Sequence, residues 1–478
     1  MRRVVAAALF LAIAIASRTP IRSPDAFWHL ATGRWIAEHH AVPLYDPFAV
    51  ASAHIPWING EWLYEVALYC VWAIGGLAAI PWAHAAFVGL IFTIAFVFAL
   101  REKDVSVAAL LTAIAFACIA VRMVVRPSTV AALFVVLAIA ILEERPGRTI
   151  ATSALYYTLL TILWINVHPS ALLAPIIAAA TIYLDRRRWI LAAASAAALL
   201  VNPYGVRGIT APLELMSMQR EGGFVNTEWL PSPPQLFPFL YLAFIGGVLA
   251  FALVKDKRPW AWRAAIFAVL FVLAAAHVRN QTLFFPALPL LVPWNRRGRL
   301  SPTVMGVTTA AIVALPLFSL PHAGVSVHFP VRAVLRLKAS GLPGTIYTAD
   351  QFGGFLIWNF YGQRRVTTDG RNELFRQYIA EDEAAHRDSR ARADLFRKYH
   401  VAIAVDEYSP PINVIDPRSR RSQRLPASLV WYPRREWALI AYDDLAMVFA
   451  RRSAFPPDVI RRFEYPDSII PEQVAGTR

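Results

Sequence analysis

From Val4 to Leu320 the chain is a succession of apolar runs joined by short loops, many of them basic, and nothing else in it limits the fold as strongly. A bilayer offers the backbone no hydrogen-bond partners, so such runs must satisfy their own N–H and C=O groups as helices. After Val4 to Ala16 the candidate segments are Trp62 to Ile74, Leu77 to Leu100, Val105 to Val121, Ser128 to Leu142, Ile150 to Ile165 and Ala171 to Leu184. Trp189 to Val201, Phe237 to Val254, Trp260 to Ala276, Thr282 to Trp294 and Thr303 to Leu320 complete the set. Several fall short of the roughly 20 residues a bilayer core requires, which predicts tilted, broken or re-entrant helices. With 57% hydrophobic and 17% charged residues among 478, the chain lies outside the range of soluble domains.

The net charge of +15 sits largely in short loops such as Asp185-Arg186-Arg187-Arg188, Lys255-Asp256-Lys257-Arg258 and Asn295-Arg296-Arg297-Gly298-Arg299. That is the positive-inside pattern, and with no nucleic-acid motif beside it the charge reports topology and anionic lipid. With those loops inside and Arg18 to Trp62 outside, parity forbids one full crossing between Trp62 and Leu100. Trp62 to Ile74 is the expected exception, being short and ending at Gly75-Gly76. The same count places residues 321–478 outside, because long domains escape the charge rule. Cys70 and Cys118, the only cysteines, both lie in apolar segments, which rules out a disulfide framework for the outer parts and argues against thiol metal sites. Ala14-Ile15-Ala16-Ser17 resembles a signal-peptidase site, but an uncleaved first helix is the reading we prefer for a polytopic chain.

The expected organisation is therefore a transmembrane part over 1–320, carrying an outer loop at 18–62, and an α/β domain over 321–478. In the latter, Gly344 to Thr348, Arg365 to Thr368 and Val401 to Val405 read as strands. Gln351 to Phe360, Arg371 to Ala384 and Ala391 to Lys398 read as helices, and Trp437 to Tyr442 with Leu445 to Ala450 as a hairpin about Asp443-Asp444. No G-x-G-x-x-G or P-loop is present to bind a nucleotide.

The outer loop concentrates the reactive side chains. Ser23-Pro24-Asp25 reads as a helix start, with Ser23 as N-cap, Pro24 at the first helical position and Asp25 in the first turn, the helix running to about Glu38. Asp25 and His29, four apart, share a face: they form a simple hydrogen-bonded pair, one orients the other for proton transfer, or with further ligands they hold a divalent cation, His168 and Glu61 being partners if folding brings them close. Five polar breaks fall on the same side of the membrane: Arg122 to Ser128, Asn166 to Ser170, Asn202 to Gly205, the loop with Glu221 and Glu228-Trp229, and His277 to Gln281. Arg122, Arg126 and Arg279 suit a phosphate or pyrophosphate, whose oxygens match a guanidinium fork. Asp369-Gly370-Arg371 and Asp443-Asp444 fall where turns are expected and need no ligand to explain them. There is no Ser-His-Asp elbow and no zinc-protease motif.

The pattern Asp25-x-x-Trp28-His29-Leu30-x-Thr32-Gly33-x-Trp35-Ile36, followed by Asp46-Pro47-Phe48, Trp57 and Glu61-Trp62-Leu63, resembles bacterial membrane proteins of the GT-C glycosyltransferase superfamily. Trp164-x-Asn166-x-His168, Asn202-Pro203-Tyr204-Gly205, Glu228-Trp229, Gln351 to Trp358 and Asp369-Gly370-Arg371 are similar to the same group's downstream landmarks. The resemblance implies a polytopic α-helical protein of about 11 to 13 transmembrane helices, with a small C-terminal α/β extracytoplasmic domain, in a bacterial inner membrane. It implies a polyprenyl-phosphate-linked sugar donor, a glycan, lipid or protein acceptor, and an acidic residue of the first outer loop at the reaction centre. Asp25 matches that position, although Ala26 stands where the family frequently carries a second acidic residue. The expected catalytic set is Asp25, His29, Glu61 and His168. The expected substrate contacts are Trp28, Asp46, Trp57, Arg122, Arg126, Asn166, Glu228 and Arg279, with a divalent metal ion as the only cofactor considered. The competing expectation is a non-enzymatic envelope scaffold or lipid-linked glycan transporter.

Overall fold

The computed structural model describes residues 2–143, 147–220, 227–294, 302–314, 324–415 and 422–474. Glu221, the Asn295 to Arg299 loop and the end of the last apolar segment at Leu320 lie outside them. The chain forms two compact units, Met1–Ser23 with Ile58–Gly324 and Pro24–Trp57 with Val325–Arg478.

The first unit is helical. Trp62–Ala99, Val105–Arg122 and Arg258–Ala276 are long and apolar enough to cross a membrane, and Pro127–Leu142, Ile150–Ile165, Pro169–Ala179 and Pro238–Leu253 are shorter apolar helices. The two segments expected between Trp62 and Leu100 form one helix with a kink, where Gly75 and Gly76 leave helical geometry and Gly76 takes φ 63°. The part before the kink rises about 20 Å and the part after it about 35 Å, against roughly 30 Å of hydrocarbon. Gly89 on the long part lets the first helix, Arg2–Ser17, pass close, since a β-carbon there would stand 2.9 Å from the Phe10 carbonyl oxygen. On Ile150–Ile165, Leu155, Leu159 and Leu163 form a stripe four residues apart and are each at least half exposed, as a lipid-facing surface requires. Helix Arg207–Arg220 was not expected; its Pro212 and polar composition mask the periodicity.

Four helices of this unit carry polar groups at both ends and sort them into two clusters. The basic-loop ends meet in one. There Arg263, 4% exposed, binds Glu102 with two hydrogen bonds and Glu143 at 3.0 Å, while Arg101 pairs with Glu143 at 2.7 Å. The other ends of Val105–Ile119, Pro127–Leu142 and Ala261–Ala276 lead to Arg122, Arg126 and His277, and Ile150–Ile165 leads to Asn166 and His168. The polar ends of these helices thus fall into two clusters, one at Arg263 and one at Glu228.

The second unit holds a four-stranded sheet in the order β1 (Thr345–Thr348), β2 (Val401–Glu407), β6 (Ala446–Arg451), β5 (Trp437–Tyr442), and a two-stranded ribbon of β3 (Ile412–Ile415) and β4 (Ser422–Leu425). β1 and β2 are parallel and the other sheet pairs antiparallel. β2, β5 and β6 are buried along almost their whole length, so they read as continuous apolar runs without alternation. The strand expected at Arg365 to Thr368 is reduced to isolated bridges, in which Val366 pairs with both Ala49 and Ile346. The helix expected over Arg371 to Ala384 is a short 3-10 turn, Asn372–Leu374, followed by Arg376–Ala385. Helix Val331–Ser340 and the β3–β4 ribbon were not expected, because neither carries a continuous apolar run.

Within this unit the outer-loop helix Asp25–His39 packs on Asp350–Asn359. Gly354 sets that approach, and Gly353 beside it seats the turn that holds Asp369. A β-carbon on Gly354 would stand 2.7 Å from the Pro24 carbonyl oxygen, and one on Gly353 would collide with the Thr368 carbonyl and the Asp369 backbone. Phe27 closes the interface edge-on against Phe329 and Phe355, with ring centroids 4.9 and 5.0 Å away.

Candidate active-site residues in the two units

In the second unit Asp25 opens its helix, but Ser23 is not the cap: Pro24 occupies that position and no side chain caps the turn. Ser23 instead accepts a hydrogen bond from Arg126 Nε at 2.7 Å in the first unit. Proline at the cap leaves the helix N-terminus to the Asp25 carboxylate, where the dipole favours it. Asp25 is half-buried, and its Oδ1 accepts from Trp28 Nε1 at 3.4 Å. That carboxylate lies against Gly370, where a β-carbon would come within 2.8 Å of it. Asp350 and Glu373 stand within electrostatic range of Asp25, so further carboxylates near it come from the C-terminal residues and not from position 26. His29 is 2% exposed, with its ring 3.6 Å from that of Trp28.

The Asp-Gly-Arg turn does more than turn. Arg371 is buried and donates from Nε to Asp369 at 2.8 Å and from Nη2 to Asp46 at 3.0 Å, with a further short contact to Asp369. Asp46 also accepts from the Phe48 amide at 2.9 Å and from the Ser52 hydroxyl. The Arg371 guanidinium lies over Trp57 at 4.5 Å and near Trp28 at 5.4 Å. Burial alone would lower its pKa, but Asp369 and Asp46 outweigh that and hold it above the ordinary arginine value. Asp46 and Trp57, expected as substrate contacts, are therefore buried parts of a clamp, which fastens the outer loop to the Asp369 turn.

The first unit gathers the other expected residues. Asn166 is buried, and its amide donates to the carbonyls of Ile162 and Val201, both at 2.8 Å, while its oxygen accepts from Trp62 Nε1 at 2.8 Å. With both amide donors used, Asn166 ties its own break to the one that follows Val201 and to Trp62 at the end of the outer loop. His168 accepts the Ser170 amide at Nδ1 (3.1 Å), which leaves the proton on Nε2. That Nε2 is buried, has no hydrogen-bond partner among the described residues and lies 3.9 Å from Glu61 Oε1. Burial, with Arg279 adding to it, lowers His168 to about 3, so its ring is neutral at pH 7 and the approach to Glu61 is not an ion pair.

Arg122 pairs with Glu228 at 2.7 Å and Arg126 approaches the same carboxylate at 3.6 Å. Arg279 lies over the Trp229 ring at 4.7 Å, and His277 Nδ1 donates to the Trp229 carbonyl at 2.7 Å. Three of the breaks thus meet around Glu228-Trp229, where half-buried guanidinium groups share one carboxylate. Among the described residues no three His, Cys, Asp or Glu side chains converge in a way that could hold a metal ion. Sequence reasoning named Gln351 to Trp358 and Asp369-Gly370-Arg371 only as landmarks; it missed the close packing at Gly353, Gly354 and Gly370, the clamp at Arg371, and the buried pair of Asn59 Nδ2 with Glu65 Oε2 at 2.6 Å. The adjacent glycines inside an apolar helix were the available signal.

No protein-family model matches the chain, and no curated protein matches it. Solved structures do. ArnT from Cupriavidus metallidurans bound to undecaprenyl phosphate superposes with a TM-score of 0.58 at 13% identity, covering 95% of this chain and 98% of that one. Its apo state gives 0.57 at 14% identity with the same coverage. The archaeal oligosaccharyltransferase AglB from Archaeoglobus fulgidus, in complex with an inhibitory peptide and a dolichol-phosphate, gives 0.57 at 10% identity, covering 89% of this chain and 74% of that one. The chain thus shares its fold with ArnT and with the oligosaccharyltransferase AglB.

Proposed function

We propose that this GT-C-fold chain is a multi-pass membrane glycosyltransferase, which moves a sugar from a polyprenyl-phosphate-linked donor to an acceptor outside the cytoplasm. The observation that carries the reading is the likeness, across 95% of this chain, to ArnT with undecaprenyl phosphate bound. The acceptor hydroxyl attacks the anomeric carbon, its proton passes to the Asp25 carboxylate, and the bond from that carbon to the phosphate oxygen breaks with inversion. Polyprenyl phosphate leaves with the bonding electron pair, so the reaction needs no nucleotide site. Asp25 suits the base because it is half-buried at a helix start and braced by Trp28 and Gly370.

Arg122, Arg126 and Arg279 are assigned to the donor phosphate, whose oxygens would compete with Glu228 for the first two. His168 and Glu61 form an orienting pair, with the neutral Nε2–H of His168 as the donor. About eleven to thirteen crossings, with residues 325–478 outside, complete the proposal.

The test is transfer from a labelled polyprenyl-phosphate sugar by purified protein in lipid nanodiscs, with the acceptor drawn from an envelope extract. Asp25→Asn is expected to slow transfer by about a hundredfold or more while donor binding persists. Transfer by Asp25→Asn at the wild-type rate removes Asp25 from the chemistry. Failure of the wild-type protein to bind polyprenyl phosphate at all favours the scaffold.

A further inference from the structure

A cleft of about 450 Å³ opens in the second unit between Pro47-Phe48 of the outer loop, Gly344-Thr345 ahead of β1, and Tyr361 to Arg365 after the helix Asp350–Asn359. Neither Asp25 nor any residue braced against it lines this cleft. Its walls are fixed by backbone pairing: Val366 donates to the Phe48 carbonyl at 3.1 Å, and Val50 donates to that of Val366 at 2.9 Å.

The lining includes two guanidinium groups, one carboxamide and no carboxylate. Arg365 is exposed and spends one donor on the Asp46 carbonyl at 3.3 Å. Arg364 differs. It is half-buried over the Phe360 ring at 4.4 Å, and its Nη1 is buried with no hydrogen-bond partner among the described residues. Burial moves Arg364 down to about 10, with no carboxylate opposing the shift. A partly desolvated positive charge without a counter-charge is costly, and an anion in the cleft would remove that cost. Tyr361 is held in place on the wall by its hydroxyl, which donates to Glu38 at 2.7 Å. With Phe48 it supplies an apolar surface beside the cations, and Gln363 supplies donors and an acceptor. The volume falls in the range of small-molecule sites and exceeds what a bare anion fills.

We propose that this cleft binds an anionic saccharide, with its carboxylate or phosphate group on Arg364 and Arg365 and its sugar ring against Tyr361 and Gln363. Binding is read without turnover, so the inference stands or falls separately from the transferase reading.

The test is calorimetric titration of the full-length protein in nanodiscs with glucuronate, glucose 6-phosphate, glucose and inorganic phosphate. Glucuronate, glucose 6-phosphate or both are expected to bind, and whichever does identifies the anionic group. Glucose and inorganic phosphate should bind at least roughly tenfold more weakly. Arg364→Gln should weaken the anionic sugar by roughly tenfold or more without moving the melting temperature. If Arg364→Gln is poorly folded, Arg365→Ala and Gln363→Ala, both at exposed positions, are expected to weaken binding by a smaller factor. Saturation by neither anionic sugar overturns the proposal. So do undiminished affinity in a folded Arg364→Gln protein, and inorganic phosphate binding as tightly as the sugars.

Discussion

Replacing Arg371 by methionine tests the clamp directly. Its side chain is 1% exposed and the carboxylates of Asp46 and Asp369, both fully buried, face it. Methionine nearly matches the volume of the aliphatic stem, so the main loss is the charge and its hydrogen bonds, not packing. Removing one partner of a buried ion pair costs about 3–5 kcal/mol because the other charge stays buried. Here two carboxylates lose the same counter-ion, and the contact with Trp57 at 4.5 Å adds about 0.5–2 kcal/mol. Against a domain stability of about 5–15 kcal/mol, that is a large fraction. For a unit of this size each kcal/mol moves the melting temperature by about 2–4 °C, so the second unit should melt about 7–28 °C earlier.

The assay is intrinsic tryptophan fluorescence on heating in detergent, paired with limited proteolysis of residues 325–478. A triple variant, Asp46→Asn with Asp369→Asn and Arg371→Met, removes the stranded charges and should recover much of the loss. If Arg371→Met melts within about 1 °C of wild type, or the triple variant is no better than the single one, the clamp is not a buried electrostatic device.

Gly354→Ala would drive a β-carbon to 2.7 Å from the Pro24 carbonyl oxygen, and overpacking of this kind costs about 1–3 kcal/mol. It should lower the melting temperature and displace Asp25, reducing transfer more than stability alone explains. Arg263→Leu leaves Glu102 and Glu143 without their shared cation, and the yield of folded protein from the membrane should fall, with Glu143→Gln restoring part of it. Burial pushes the Glu381 carboxyl up, but hydrogen bonds from Lys398, Tyr399 and Gln377 outweigh it and hold it below its ordinary value. The stability it contributes is therefore complete above pH 4.5 and lost as pH falls through the lower, folded-state value. Glu381→Gln should flatten that loss in acid melting curves, and an unchanged acid limb would contradict the assignment.

The helical character of the described apolar segments was legible because lipid leaves the backbone one solution, and the grouping of their polar ends into two clusters followed the charge of the loops between them. Strands β2, β5 and β6 were legible for a related reason: burial on both faces writes a continuous apolar run. The helix beginning at Asp25 was legible from its local chemistry, though Ser23 was drawn away from capping by Arg126, a partner 103 residues distant. No local rule contains that competitor. Asp46 and Asn166 looked like ligand contacts because they are polar residues in polar surroundings. Only the fold shows that Arg371 consumes one and that the Trp62 and Val201 segments consume the other.

The sequence by itself determined which segments seek lipid and which residue types collect at the polar breaks, since both follow from interactions with solvent or with near neighbours in the chain. The tertiary structure alone decided that Gly354 seats the outer-loop helix and Gly353 the Asp369 turn, that Arg371 locks Asp46 to Asp369, and that Arg364 keeps a buried donor without a partner among the described residues at a cleft. Each of these depends on contacts between residues far apart in sequence, and one chain read in order carries no record of them.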